Sequence, residues 1–235
     1  MIDLLSLIVL SLQGAILGLC VVAARRRNVA ALVNTVGSLA LALTPTALEI
    51  ISRARPGSAL TIDPTLTLWL ALAGLLHSLG MLGLYDSTWW WDHLTHTVSA
   101  ALVAAVLYAG FIVSPDPVRI VGFDSFAALT VAFTFAVGVF WELVELVARE
   151  VGDRLDVDPV LVYYGWQDTA LDLVFDLVGA LVVVAFDLRT FVPVVERYAA
   201  VTTGVLVVSG WTVAIGSLAM ALFVGIAGTI WTRQV

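Results

Sequence analysis

Long apolar stretches, separated by short clusters of charged, proline and glycine residues, follow one another along almost the whole chain. A membrane-spanning α-helix needs about 20 consecutive apolar residues, and seven stretches reach this length. The pattern therefore predicts seven helices, at residues 3–24, 30–51, 66–85, 93–113, 124–148, 168–188 and 199–231. The last stretch is longer than one span requires and contains five glycines, so it can form one helix or two.

The composition agrees with this pattern. Of the 235 residues, 61% are hydrophobic and 12% are charged, whereas a soluble domain has about 25% charged residues. No repeat or linker interrupts the chain. The expected fold class is all-α, a polytopic transmembrane helical bundle of about seven helices. We expect a single integral membrane domain over residues 1–235, with a polar core built from residues 70–185, in the plasma or inner membrane of the cell.

Charge and cysteine content narrow the function. The 18 acidic residues outnumber 11 basic ones, all arginine, and the net charge of -7 argues against nucleic acid as a partner. The single cysteine, Cys20, lies inside the first apolar stretch, so no disulfide framework is available. Any metal site must therefore use histidine and carboxylate ligands.

Polar residues of the third to sixth predicted helices lie near helix ends that share one membrane face. Because neighbouring helices alternate in direction, the end of the third, the start of the fourth, the end of the fifth and the start of the sixth meet at one side. Spacings of three and four residues place these side chains on common helical faces. The residues concerned are His77, Asp92, His93, His96, Glu142, Glu145, Asp168, Asp172 and Asp176.

The negative charge of this group points to a bound cation. One charge at bilayer depth costs at least about 2.5 kcal/mol, and no arginine occurs between Arg55 and Arg119 or in the fifth helix before Arg149. Either several carboxylates are protonated, or divalent ions neutralise them. We favour zinc, manganese or iron. The predicted metal ligands are His93, His96, Glu142 and Asp172. The predicted general bases are Glu145 and Asp168, and the supporting residues are His77, Asp92 and Asp176.

Several of these side chains also have simpler interpretations. His77 can be a hydrogen-bonded residue between packed helices, and Glu142 or Glu145 can pair with Arg149. The tryptophan run at residues 89–91 is typical of a membrane interface, where indole rings favour the headgroup level.

Four short motifs in this region resemble those of the YjdF-like family of small polytopic inner-membrane proteins. They are His77-Ser-Leu-Gly80, Asp92-His-Leu-Thr-His96, Trp141-Glu-Leu-Val-Glu145, and Gly165-Trp-Gln-Asp168 followed by Asp172, Asp176 and Gly179. The resemblance covers the third to sixth helices, about half of the chain. It implies a membrane fold and the same polar constellation but no reaction. Relatives tend to carry an acidic residue just after the glycine of the last motif, where this chain has Trp166 and Gln167. The resemblance therefore implies no role for such an acid in this chain.

Three functions fit these observations. The leading one is a metal-dependent membrane hydrolase or lipid-modifying enzyme, with membrane lipids as partners and a lipid-linked or amphiphilic substrate. The second is a cation or proton transporter or channel that uses the same carboxylates. The third is a structural or assembly subunit in which the polar cluster only fixes helix packing. The sequence does not determine the oligomeric state.

Overall fold

The computed structural model describes residues 3–54, 60–114 and 125–231, with the backbone alone at residues 227–231. The regular elements of these residues are all helices, as the sequence predicted. Residue 124, the predicted start of the fifth long helix, lies outside the described residues. The helices are α1 (Leu4–Arg25), α2 (Val29–Arg53), α3 (Pro64–Leu79, continued by a π-helical turn, Gly80–Leu84, to Ser87), α4 (Trp91–Val113), α5 (Phe126–Leu155), α6 (Trp166–Ala185), α7 (Val192–Glu196) and α8 (Ala199–Trp231).

Six of the described helices are long and apolar enough to cross a membrane: α1, α2, α3 with its extension, α4, α5 and α8. The 20-residue α6 has the length of a span, but Asp168, Asp172 and Asp176 lower its apolar character. The last apolar stretch forms one helix, since α8 runs through 33 residues without a break. The predicted class, a polytopic helical membrane protein, is therefore confirmed.

Polar residues set where several helices begin. The side chains of Asp3, Asn28 and Ser125 each accept a hydrogen bond from a backbone N–H in the first turn of α1, α2 and α5. Such N-caps satisfy donors that otherwise have no partner within the helix. The predicted starts of the seven long helices agree with the structure to within two residues.

The chain divides into two compact units, Met1–Thr95 and His96–Val235, with the division inside the continuous helix α4. In the first unit α1, α2 and α3 pack on one another around Ile16, Ala42 and Ala71. In the second unit α5 packs against α6 and α8. A core of Leu107, Phe111, Leu129 and Leu206 joins α4, α5 and α8. The single domain expected over residues 1–235 stays a prediction.

Asp187, just beyond the end of α6, forms a small polar cluster within the second unit. Arg189 Nε donates to both of its carboxylate oxygens at 2.9 Å, and the Tyr108 hydroxyl donates to Oδ1 at 2.7 Å. These hydrogen bonds lower the pKa of Asp187, and the one from Arg189 has the larger effect. A carboxylate with a lowered pKa stabilises the fold above its unfolded pKa, and this contribution is lost as the pH falls through the folded value.

We therefore expect Asp187→Asn to lower the unfolding temperature of the detergent-purified protein at neutral pH. The difference from the wild type should shrink as the pH is taken below 3.8, the ordinary pKa of an aspartate. Thermal unfolding at a series of pH values tests this. A difference that stays constant into acid would contradict an ionised role for Asp187.

Candidate metal centre

His96 on α4 lies between two aspartates of α6. Its Nδ1 is 3.1 Å from Asp176 Oδ1, and its Nε2 is 3.9 Å from Asp172 Oδ1. The two aspartates are four residues apart, so they occupy one face of α6 on successive turns. Both are buried, with 2% of Asp172 and 5% of Asp176 exposed. Each ring nitrogen of His96 therefore faces a buried carboxylate.

Two glycines allow this approach of the helices. A Cβ added to Gly179 on α6 would lie 2.4 Å from the Thr97 carbonyl oxygen and 2.9 Å from the Ala101 amide nitrogen of α4. A Cβ added to Gly138 on α5 would lie 2.2 Å from Asp176 Oδ2. Contacts under 3.0 Å are essentially never made by real Cβ atoms. The first glycine therefore permits close packing of α4 and α6, and the second leaves room for the aspartate.

Glu142 approaches the same group from α5, one helical turn beyond Gly138. Only 4% of this residue is exposed. Neither of its carboxylate oxygens makes a hydrogen bond of normal distance and angle with a described residue. The side chains that interact with it electrostatically are Thr169, His96, Asp176 and Asp168. A buried carboxylate without a regular hydrogen bond is costly, and it indicates either a proton or a cation.

The charge of the group is unbalanced within the second unit. The group contains three buried carboxylates, those of Glu142, Asp172 and Asp176, and one imidazole, that of His96. The sequence has no arginine between Arg154 and Arg189, or in α5 before Arg149. Each of these three arginines pairs with another acidic residue. Arg154 lies 2.9 Å from Glu150, Arg189 lies 2.9 Å from Asp187, and Arg149 lies 3.8 Å from Asp153. A single imidazolium cannot neutralise three carboxylates, so additional protons or a divalent cation must do so.

Asp92 lies one helical turn before His96 on the same helix. A carboxylate oxygen of Asp172 lies within 4.8 Å of a ring nitrogen of His96. Imidazole nitrogen and carboxylate oxygen, without thiolate, are ligands that suit zinc, manganese or iron. The donor set around His96 therefore fits a divalent transition metal.

The structure places the remaining predicted residues in different surroundings. The His93 ring lies edge-on to Trp89, with 6.2 Å between ring centroids. Glu145 accepts a hydrogen bond from Trp141 Nε1 at 2.9 Å, while Arg149 lies 3.8 Å from Asp153. The metal role of His93 and the base role of Glu145 stay predictions.

Asp168 and His77 complete the predicted set. Asp168 is half-buried in the first turn of α6 and interacts electrostatically with Glu142. His77 forms hydrogen bonds with Asn34 and Tyr85 inside the first unit. Its contacts agree with the simpler interpretation of a hydrogen-bonded residue between helices.

Sequence reasoning did not identify Gly138, Thr169, Asn34 or Tyr85 as relevant. A signal was present for Gly138, because it precedes Glu142 by four residues and therefore occupies the same face of α5. The importance of Thr169, Asn34 and Tyr85 depends on which helices are neighbours, which hydropathy does not report.

A family model described as "Predicted membrane protein (DUF2238)" matches residues 5–192. The searches of curated proteins and of solved structures give no significant match. The family match confirms that the resemblance seen in the sequence is to a membrane protein family, and its range includes all residues of the polar group around His96. The chain therefore belongs to this family of predicted membrane proteins.

Proposed function

We propose that this protein binds a divalent metal ion at His96 and uses it as a hydrolase or lipid-modifying enzyme of the cell membrane. The observation that carries the proposal is the placement of His96 between the buried carboxylates Asp172 and Asp176, with the buried Glu142 beside them. The YjdF-like family that the motifs resemble would, on this proposal, share the same centre.

A metal ion accounts for this arrangement better than protons alone. Protonation would remove the charge of Glu142, but it would not explain why both nitrogens of one imidazole face carboxylates four residues apart on another helix. Pairs of short ligand motifs on facing helices are a common way for helical proteins to bind metal. His96, Asp172 and Glu142 are the proposed ligands, and Asp176 holds the opposite side of the ring.

The proposed reaction is hydrolysis, in which a water molecule attacks the substrate and cleaves one of its bonds. When bound, a divalent ion lowers the pKa of a coordinated water towards about 7. Asp168 is better placed than Glu145 to accept the proton, because it interacts with Glu142 at the less buried start of α6, whereas Glu145 accepts a hydrogen bond from Trp141.

An amphiphilic substrate fits the surroundings of this centre. A shallow apolar groove, open to the surface of the helices, lies between α5 and α6, and Leu177, the residue after Asp176, is part of its wall. Ala128, Ala132 and Phe135 of α5 form the other side. We propose that a hydrocarbon chain lies along this groove, with its polar end at the Leu177 end, towards the carboxylates, as a lipid or lipid-linked substrate requires. The apolar second half of α6, residues 177–185, offers no polar path towards its far end, and this makes transport the weaker alternative.

The decisive experiment is elemental analysis of the protein purified in detergent without chelators. We expect about one equivalent of zinc, manganese or iron in the wild type and its loss in Asp172→Asn. The matched control is Asp153→Asn, which removes a similar charge from an exposed pair with Arg149 and should keep the metal. Metal-free wild-type protein with an intact fold would end the proposal. Cation flux in proteoliposomes that Asp172→Asn abolishes would favour transport.

A further inference from the structure

Three consecutive arginines of the first unit, Arg25, Arg26 and Arg27, span the end of α1 and the turn that leads to α2, and all three are exposed. We call them the arginine turn. The sequence has no acidic residue between Asp3 and Glu49. In the described part of the chain none of the three arginines forms an ion pair. By contrast, four other arginines lie at most 3.8 Å from a carboxylate: Arg53, Arg149, Arg154 and Arg189.

The backbone of the arginine turn does not need arginine side chains. Its amides donate to carbonyl oxygens of the last turn of α1, among them Asn28 to Ala23 at 3.1 Å. Arg27 has a left-handed φ of 54°, just after the helix end, where glycine is usual because it has no Cβ. The other described non-glycine residues with positive φ are aspartates, Asp156 and Asp187, which tolerate this conformation better. An arginine held in such a conformation indicates a role for its side chain.

The arginine turn lies at the level of the membrane surface. Arg26 Nη1 donates to the Leu82 carbonyl oxygen at 3.4 Å, which places the end of α1 beside the extension of α3. Trp89 and Trp90 follow this extension and are exposed. Indole rings favour the headgroup level, where the phosphates of lipids also lie. Asp86 is the exposed carboxylate of the extension, and three arginines outweigh its charge.

The surface next to the arginine turn is apolar. Val21 and Val22 near the end of α1, and Val29 and Val33 near the start of α2, are all exposed. The first turn of α2 contains no acidic side chain, so the positive end of its helix dipole adds to the charge of the arginines. A matching ligand has an anionic head and a hydrocarbon tail. An anionic phospholipid has both, whereas free phosphate has only the anion.

We propose that the arginine turn binds the phosphate group of an anionic phospholipid of the membrane, whose acyl chains lie along the adjoining valines. Guanidinium groups bind phosphate through pairs of hydrogen bonds, and these arginines are not engaged by carboxylates of the described residues. Each arginine near the membrane surface contributes about fivefold to the affinity for an anionic lipid. The site belongs to the first unit alone and does not depend on the proposed metal centre.

Native mass spectrometry of the full-length protein in detergent tests this proposal, with titration of phosphatidylglycerol or of phosphatidylcholine with the same acyl chains. The wild type should bind phosphatidylglycerol more tightly, and Arg25→Gln, Arg26→Gln and Arg27→Gln together should abolish the difference. The matched control is Arg53→Gln, an exposed arginine that pairs with Glu49 and whose loss should leave the difference unchanged. Equal affinity of the wild type for both lipids would overturn the proposal, as would an unchanged preference in the triple variant.

Arg27→Gly gives a second test that does not require the triple variant to fold. Glycine adopts the left-handed conformation without strain, so the unfolding temperature should be equal to or higher than that of the wild type. The affinity for phosphatidylglycerol should fall about fivefold. An unchanged affinity would contradict the proposal. Inorganic phosphate in excess should not displace the lipid, and displacement would overturn the assignment of a phospholipid as the ligand.

Discussion

Replacing His96 with alanine is expected to abolish metal binding, whereas replacing His93 is expected to preserve it. His96 is the only imidazole that the described contacts place between Asp172 and Asp176. Because groups that merely orient ligands contribute about 10–100-fold to affinity, loss of a ligand should weaken binding by more than about 100-fold. Elemental analysis and Mn²⁺ titration of the purified variants measure this effect.

His93→Ala is the matched comparison, since both histidines lie in the first turns of α4 and only three residues separate them. The His93 ring packs against Trp89, and its removal should change the affinity no more than a few-fold. Circular dichroism and gel filtration establish that both variants are folded. If both variants lose the metal equally, both histidines are ligands, as the sequence predicted, and the proposal that His96 is the only histidine ligand is wrong.

The helices could be predicted from hydropathy because each apolar stretch must satisfy its own backbone hydrogen bonds in lipid. Hydropathy marks the edge of the membrane, however, and not the end of a helix. α5 continues seven residues beyond the predicted end at 148, to Leu155. Its last turns are polar, and the pairs Arg149–Asp153 and Glu150–Arg154, each four residues apart, stabilise them as helix. The helix ends where Asp156 adopts a left-handed conformation.

Alternating helix direction also indicated which residues share a membrane face, and His96 does meet Asp172 and Asp176. Depth alone does not determine which helices are neighbours or how each is rotated about its axis. His93 and His96 are three residues apart, so a small rotation decides which of them faces α6. His77 lies at a suitable depth, but its hydrogen bonds are to Asn34 and Tyr85. Asn34 belongs to α2, which lies outside the third to sixth helices in which the sequence placed the polar group.

Gly179→Ala is expected to destabilise the second unit strongly and to remove the metal at the same time. The added Cβ would lie 2.4 Å from the Thr97 carbonyl oxygen and 2.9 Å from the Ala101 amide nitrogen. Both atoms are backbone, so the clash cannot be relieved by a side-chain rotation. Overpacking of this kind typically costs about 1–3 kcal/mol, and α6 must move away from α4 to relieve it. The same movement takes Asp172 and Asp176 away from His96. Unfolding in SDS and metal content measure the two effects.

Gly204→Ala on α8 is the control, because no atom lies within 4 Å of a Cβ added there. Alanine favours a helix over glycine by about 1 kcal/mol, so this variant should be as stable as the wild type or more so, and it should keep its metal. A general cost of substituting helical glycines would destabilise both variants alike. Destabilisation confined to Gly179→Ala, with loss of metal, would link the close packing of α4 and α6 to the geometry around His96. Equal stability of the two variants would contradict that packing and, with it, the positions from which the centre is built.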